Sequence, residues 1–453
     1  MKVRSIAVSV AVVTALAVAA AGVAVFQLPA DRAPVRTVVV PADEQAATIA
    51  ALKPPKRARP VVAIIGANDG TETTDFLLPY GVLKRSGVVD VIAVATKPGP
   101  IRMMPSLTIV PDMTAADFEQ HTPDGADYVI VPALHDPADP EVRAFIIAQA
   151  KRGAKILGIC DGTLVLENAG LLAGHRATGH WFAIGGVAER NPTMRWVRDR
   201  RYVIDGNLGT TTGVSASLPL SLALVEAVAG HERARTLADE VGAAGWGVAH
   251  DSGHFRLTRG DAWSVVANMA VALVARETIG IRVSESDDLI ALAFMADSYG
   301  RTFRSRAVVL GGRPVTTREG LRILPDGNGA VDVTVDLPHG EAPARALEMA
   351  IAGIAARYGK ATADFVRVQL EDAGHTAGSQ RLYGRSRVRV IQPSRAERLR
   401  TRRFWVRAML QMALACSSRR PERMALPPFA RFALMPGISF ISGPARMFAK
   451  MRS

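Results

Sequence analysis

The stretch Ala154-Lys-Ile-Leu-Gly-Ile-Cys-Asp-Gly-Thr-Leu-Val-Leu166 runs from a short apolar segment into a cysteine, then Asp-Gly, then a helical pattern. That order predicts a strand feeding into a helix through a tight, strained turn, with Cys160 lifted above the sheet edge beside the N–H groups of the helix N-terminus. The dipole of such a helix favours the thiolate. The competing reading is a buried structural cysteine, the commoner fate of a lone Cys.

Working outward, Val61-Val-Ala-Ile-Ile and Val89-Asp-Val-Ile-Ala-Val-Ala are apolar runs of strand length, separated by a helical pattern from Thr74 to Ser86. A strand near Leu107, another from Tyr128 to Val131 and a helix from Pro140 to Arg152 lead to the elbow strand. Alternating strands and helices predict an α/β domain, a three-layer sandwich with a mainly parallel sheet covered on both faces. Ligands of such sheets bind beyond the carboxyl ends of the strands, where Asp75 and Cys160 both fall.

Two further segments frame the elbow: Gly66-Ala-Asn-Asp-Gly-Thr-Glu-Thr-Thr-Asp-Phe-Leu-Leu-Pro-Tyr-Gly upstream, and Gly170-Leu-Leu-Ala-Gly-His-Arg-Ala-Thr-Gly-His-Trp downstream. Together with Ala126-Asp-Tyr-Val-Ile-Val-Pro and the run from Val197 to Val214, they resemble the ThiJ/PfpI superfamily, related to the class I glutamine amidotransferases. Within it the chain looks most like the amidase-like regulator branch, without a recognisable helix-turn-helix pair. The resemblance covers roughly residues 57 to 240 and implies a flavodoxin-like fold. It places Asp75, Cys160 and His180 at the acid, nucleophile and histidine positions, with Asp75 sharing a proton with the thiol and His180 as general base. Read without the resemblance, Asp75 complements a helix dipole and His180 is a core-edge histidine held by Trp181.

An oxyanion hole needs two inward-pointing N–H groups. The amide of Asp161 is one candidate. The other falls in the loop after Pro132, where many relatives carry Gly-Gly and this chain has Ala133 and Leu134, which puts the geometry in doubt. The Asp161 side chain is expected to point outward and cap the helix, since an inward charge opposes the thiolate.

The 453 residues suggest two or three domains, and a 49% apolar content is ample for packed cores. The formal charge is +13, but residues 381–453 hold 17 Lys and Arg against Glu397 and Glu422, so the tail carries +15 and the rest of the chain −2. Nucleic acid is therefore not an expected partner of the body. The tail, with Phe404, Trp405, Met409 and Met412, suits an anionic membrane surface, or is a disordered extension. Lys2 and Arg4 precede an uncharged, Ala/Val-rich stretch up to Ala30. Its length favours an uncleaved signal anchor, a single transmembrane helix with the main domain on the periplasmic or extracellular side. Cys160 and Cys416 are too few for a disulfide framework.

The expected organisation is an anchor at 1–30, a linker at 31–59, the ThiJ/PfpI-like domain at 60–240, an accessory α+β or helical region at 241–380 and a basic tail at 381–453. Residues 263–275 read as a buried helix. His250 and His254 have ligand-like spacing, but Ser252-Gly253 disfavours a helix there and neither a metal nor another cofactor is expected. Three functions remain open: a membrane-tethered hydrolase or lyase acting through Cys160 on a small carbonyl, amide or isonitrile-type substrate; a ligand-binding regulatory protein; and a thiol-based stress protein. A homodimer is also open.

Overall fold

The computed structural model describes residues 22–243 and 246–374. Twelve strands occupy the first part of the chain: β1 (Val61–Gly66), β2 (Asp69–Glu72), β3 (Asp90–Ala95), β4 (Ile101–Met104), β5 (Thr108–Val110), β6 (Met113–Thr114), β7 (Tyr128–Val131), β8 (Lys155–Gly158), β9 (Arg176–Ala177), β10 (Arg195–Trp196), β11 (Tyr202–Asp205) and β12 (Leu208–Thr211). The main sheet runs β11-β12-β8-β7-β1-β3-β6. Its neighbours pair in parallel except β11 and β12, which form an antiparallel edge.

The near-continuous apolar runs of β1, β7 and β8 reflect burial on both faces. Alternation along β1 divides the core: Val62 and Ile64 pack with Phe76, Leu77 and Leu222 on one side, Ala63 and Ile65 with Phe118, Phe145 and Val165 on the other. Asp127 fixes the start of β1. Fully buried, it accepts from the amides of Val61 at 2.9 Å and of Lys56 and Arg57 at 3.1 Å, and pairs with the Arg57 guanidinium.

The second part is mixed α/β as well. It contains β13 (Glu277–Arg282), β14 (Ser305–Leu310), β15 (Val315–Thr316), β16 (Arg322–Leu324) and β17 (Val333–Asp336), with helices Leu289–Gly300, Arg345–Tyr358 and Lys360–Leu370. A three-stranded parallel sheet runs β14-β13-β17, and the β15–β16 hairpin joins β5, β4 and β2 in a sheet shared by both parts.

Three expectations are corrected. No helix among the described residues is long and apolar enough to cross a membrane, so the single-pass membrane protein with an external domain is not supported. Residues 1–21 of the expected anchor, like the tail 381–453 and Cys416, lie outside the described residues. The expected linker is packed rather than free. Arg32 pairs with Asp261, the Arg36 amide and guanidinium both reach Asp251, Glu44 pairs with Arg200 at 2.7 Å, and helix Ala42–Ala51 leads to the fully buried Leu52. Its charges satisfy partners far along the chain, which no local pattern shows. Helix Arg259–Ala275 buries only Asp261 and Asn268 and leaves Trp263, Val266, Met269 and Leu273 exposed, contrary to the buried helix expected.

Candidate active site

Cys160 follows β8 with φ +54°, a left-handed conformation that costs a non-glycine residue free energy and is retained where the surroundings enforce it. Its amide donates to the Thr211 hydroxyl at 2.9 Å, which ties the turn to β12. The helix after it, Gly162–Asn168, packs against the end of β7 so closely that a Cβ on Gly162 would lie 2.1 Å from the Val131 carbonyl oxygen. Glycine is therefore required there, and the strand–turn–helix elbow is observed.

Asp75 sits in the first turn of helix Thr73–Ser86, fully buried. One carboxylate oxygen accepts from the Ala133 amide at 3.1 Å, and the other, Oδ1, has no hydrogen-bond partner. The N-cap of this helix is Glu72, whose carboxylate accepts the Asp75 amide at 2.6 Å and the Thr74 hydroxyl at 3.0 Å. Arg301 reaches Glu72 and also grips Asp297 at 2.8 Å. Burial and the Asp297 charge push the Glu72 pKa up to about 7, against the opposing pull of Arg301. Asp75 is pushed well above the usual carboxylate range by burial and then by Glu72.

The Cys160 sulfur, a carboxylate oxygen of Asp161 and a ring nitrogen of His180 lie within 4.8 Å of one another. His180 is positioned from two directions. Its Nε2 is 3.1 Å from the Gln369 carbonyl, and the neighbouring Trp181 donates its amide to Glu371 at 2.6 Å and its indole N–H to the Val368 carbonyl at 2.9 Å. The end of helix Lys360–Leu370 thus holds the histidine loop.

The geometry departs from the sequence reading at three points. Asp161 turns inward, toward His180 Nδ1 at 4.0 Å, and its side chain makes no capping hydrogen bond. The proximity of an imidazole offsets the cost of placing a second acid beside the thiol. The Ala133 amide is committed to Asp75, and Leu134 is buried in a bridge to Thr71, so this loop holds the acid rather than presenting a ready oxyanion hole. Third, the thiol is not activated at rest. Burial, followed by the charges of Asp75, Asp161 and Glu72, raises the Cys160 pKa well above its ordinary value, and Arg301 acts in the opposite direction.

Glu72, Asp297, Arg301 and Glu371 were not identified from sequence. The lone acid in the apolar helix Leu289–Gly300 is the one local signal for this cluster, because a buried carboxylate requires a partner. His250 pairs with Glu371 at 2.9 Å and stacks on Phe255, whereas His254 contacts the Ala33 carbonyl at 2.7 Å, so the two histidines serve separate structural roles. Among the described residues, Cys160, Asp161 and His180 are the one group of three whose donor atoms gather in this way; a zinc site would need a fourth ligand and bonds of about 2.0–2.3 Å.

Residues 61–227 match the model of the DJ-1/PfpI family. The chain is 32% identical to isonitrile hydratase of Pseudomonas putida over 166 residues, 36% of this chain and 69% of that protein. It is 30% identical to a deglycase of Pyrococcus abyssi over 152 residues, 32% of this chain and 86% of that one. It is also 37% identical over 90 residues, 20% of this chain, to the HTH-type transcriptional regulator CdhR of Pseudomonas aeruginosa, of which only 26% is matched. An elbow cysteine, a buried acid at the start of the first helix and the long matches to the hydratase and the deglycase lead to one conclusion: this chain belongs to the DJ-1/PfpI family through its domain at residues 61–227.

Proposed function

We propose that Cys160 is the nucleophile of a hydrolase or lyase-type reaction on a small, uncharged carbonyl, amide or isonitrile-type substrate. The observation that carries this reading is the convergence of a strained elbow thiol, the Asp161–His180 pair within 4.8 Å of it, and a buried Asp75 with one unpartnered oxygen. With the thiol protonated at rest, the reaction starts from the S–H group. For an isonitrile-type carbon, sulfur bonds to the terminal carbon while the thiol proton is transferred through His180 to the same carbon, giving a thioimidate. Water adds to that carbon, and cleavage of the C–S bond releases an N-formyl amine and restores the thiol, so one water is consumed per turnover. Asp75, kept protonated by its surroundings, donates a hydrogen bond to the polar end of the substrate and is the general acid.

A ligand-binding, non-catalytic protein is the second reading. It is supported by the commitment of the Ala133 amide to Asp75 and by the match to a transcriptional regulator. Turnover of a panel of small isonitriles, amides and α-carbonyl compounds separates the two. The catalytic reading expects activity that falls at least about 10²-fold in Cys160→Ser and in Asp75→Asn. Equal turnover in wild type and Cys160→Ser would refute it, and saturable binding without turnover would establish the second.

A further inference from the structure

Residues 278–336 repeat the opening of the domain. In residues 61–131, β1 lies between β3 and β7, all parallel, and the chain passes through a helix after β1 and a hairpin after β3. In residues 278–336, β13 lies between β14 and β17, all parallel, with helix Leu289–Gly300 and the β15–β16 hairpin in the same places.

The hydrogen bonds repeat as well. Asp112, in Thr-Ile-Val-Pro-Asp, donates its amide to the Ala93 carbonyl at 2.8 Å and accepts the Ala93 amide on its side chain at 2.7 Å; Asp326, in Arg-Ile-Leu-Pro-Asp, does the same with Val309 at 2.9 and 2.8 Å. Asp127 brackets Val61 in this way before β7, and Asp332 brackets Thr278 before β17. The hairpins close with Met103 N–H to the Leu107 carbonyl at 2.8 Å and Thr317 N–H to the Leu321 carbonyl at 2.9 Å. The helices are capped by Glu72 and Asp288.

Contacts between the two helices are reciprocal at one offset in the sequence, and those between the hairpins at an offset two residues shorter, which is the signature of a two-fold axis relating the copies. Arg301 of the second helix binds the N-cap Glu72 of the first, and Arg85 of the first binds the N-cap Asp288 of the second. Thr74 donates to Asp297 at 3.1 Å, and its counterpart Ile290 packs on Gly81, the counterpart of Asp297, where a Cβ would meet Ile290 at 2.8 Å. On the axis, β5 and β16 pair antiparallel with Ile109 opposite Ile323. The copies differ where chemistry is concerned. Ala291 stands where the first copy has Asp75, and among the described residues the second sheet has no strand beyond β17 to carry an elbow.

We propose that residues 278–336 are a truncated second copy of the domain, docked in the same chain as an internal partner, and that this copy supplies Arg301 as a positioning residue for the Cys160 site. The homodimer left open by the sequence is, on this face, built into one chain. The charged and titratable groups acting on the thiol are Glu72 and Asp75 from the first helix, Asp161 from the elbow and Arg301 from the second copy; His180 faces Asp161, and Asp297 bears on Glu72 and Arg301. Arg85, the counterpart of Arg301, pairs with Asp288 and Glu319 and is therefore an internal control with a docking role alone.

The role of Arg301 rests on the proposed reading of the Cys160 site, and the duplication does not. The test compares the full chain with Arg85→Gln, Arg301→Gln and Arg301→Lys, following urea unfolding and the pH dependence of Cys160 alkylation by iodoacetamide. Both glutamine variants are expected to lower the unfolding midpoint by similar amounts. Only Arg301→Gln should raise the pH midpoint of alkylation, slowing the reaction several-fold at fixed pH, with Arg301→Lys restoring most of it. An unfolding midpoint unmoved by Arg85→Gln, or an alkylation profile shifted equally by both glutamine variants or by neither, would overturn the proposal. An Arg301-dependent profile in a protein without turnover would overturn the catalytic reading alone.

Discussion

Glu72 offers a direct test of how the buried acids are held. It is 4% exposed, and its pKa is raised from 4.5 to about 7, first by burial and then by Asp297. An acid whose folded pKa lies above its unfolded one retains its proton in the native state after the unfolded state has lost it. Its stabilising contribution is therefore complete below pH 4.5 and is lost as pH rises through 7. A shift of this size, at 1.36 kcal/mol per unit, corresponds to about 3 kcal/mol. Glu72→Gln preserves shape and hydrogen-bonding capacity but cannot titrate. The altered contacts to Arg301 and Thr74 displace the whole stability curve, whereas only proton linkage changes its slope. Urea unfolding of both proteins between pH 4.5 and 8 should show the difference moving by about 3 kcal/mol in favour of the variant. Loss of the Glu72 charge also eases ionisation of Asp75, which acts in the same direction. A difference constant to within about 1 kcal/mol would refute the reasoning and mean that Glu72 stays ionised with Arg301 throughout.

Two further substitutions probe the elbow. Gly162→Ala puts a methyl group into the Val131 carbonyl, which is fixed by the Ile159 amide at 2.9 Å, so the helix must move; a loss of about 1–3 kcal/mol and slowed Cys160 alkylation are expected, and an unchanged unfolding midpoint would count against the close approach. Asp161→Asn removes a charge that opposes the thiolate and should lower the pH midpoint of alkylation; a rise would show that Asp161 acts chiefly through its contact with His180.

The elbow was legible because its determinants are local: an apolar strand, a cysteine, and a glycine two residues later where a Cβ would strike the Val131 carbonyl. Asp75 was legible by position, but its environment was not. Glu72 is three residues away and reads as an ordinary helix cap until Asp297 and Arg301 arrive from more than 220 positions along the chain. The inward turn of Asp161 depends on His180, whose loop is held by Glu371 and the end of helix Lys360–Leu370. Packing of residues 28–59 was equally hidden, since Arg32 and Arg36 find their acids in the segment around Asp251 and Asp261. Local patterns specified the strands and the elbow cysteine; long-range pairing specified the charge around it.

That charge determines when the thiol can react. Glu72, Asp75 and Asp161 act on a buried sulfur, with Arg301 the cation that opposes them and His180 facing Asp161, while Asp297 bears on Glu72 and Arg301. Ionising the thiol in this setting places another negative charge among buried acids whose own ionisation is already opposed by burial, which a low-dielectric interior strongly disfavours. In the proposed reaction, a substrate that accepts a hydrogen bond from Asp75 and takes up the thiol proton through His180 avoids that cost, because no net charge is created beside the sulfur. Anionic reagents enter against the carboxylates as well as against a protonated thiol. On the proposed reading neutral, polarisable substrates are favoured, and alkylation by neutral iodoacetamide should exceed that by iodoacetate by more than their intrinsic reactivities predict. A preference for iodoacetate would mean that Arg301, rather than the acids, dominates the approach to the sulfur.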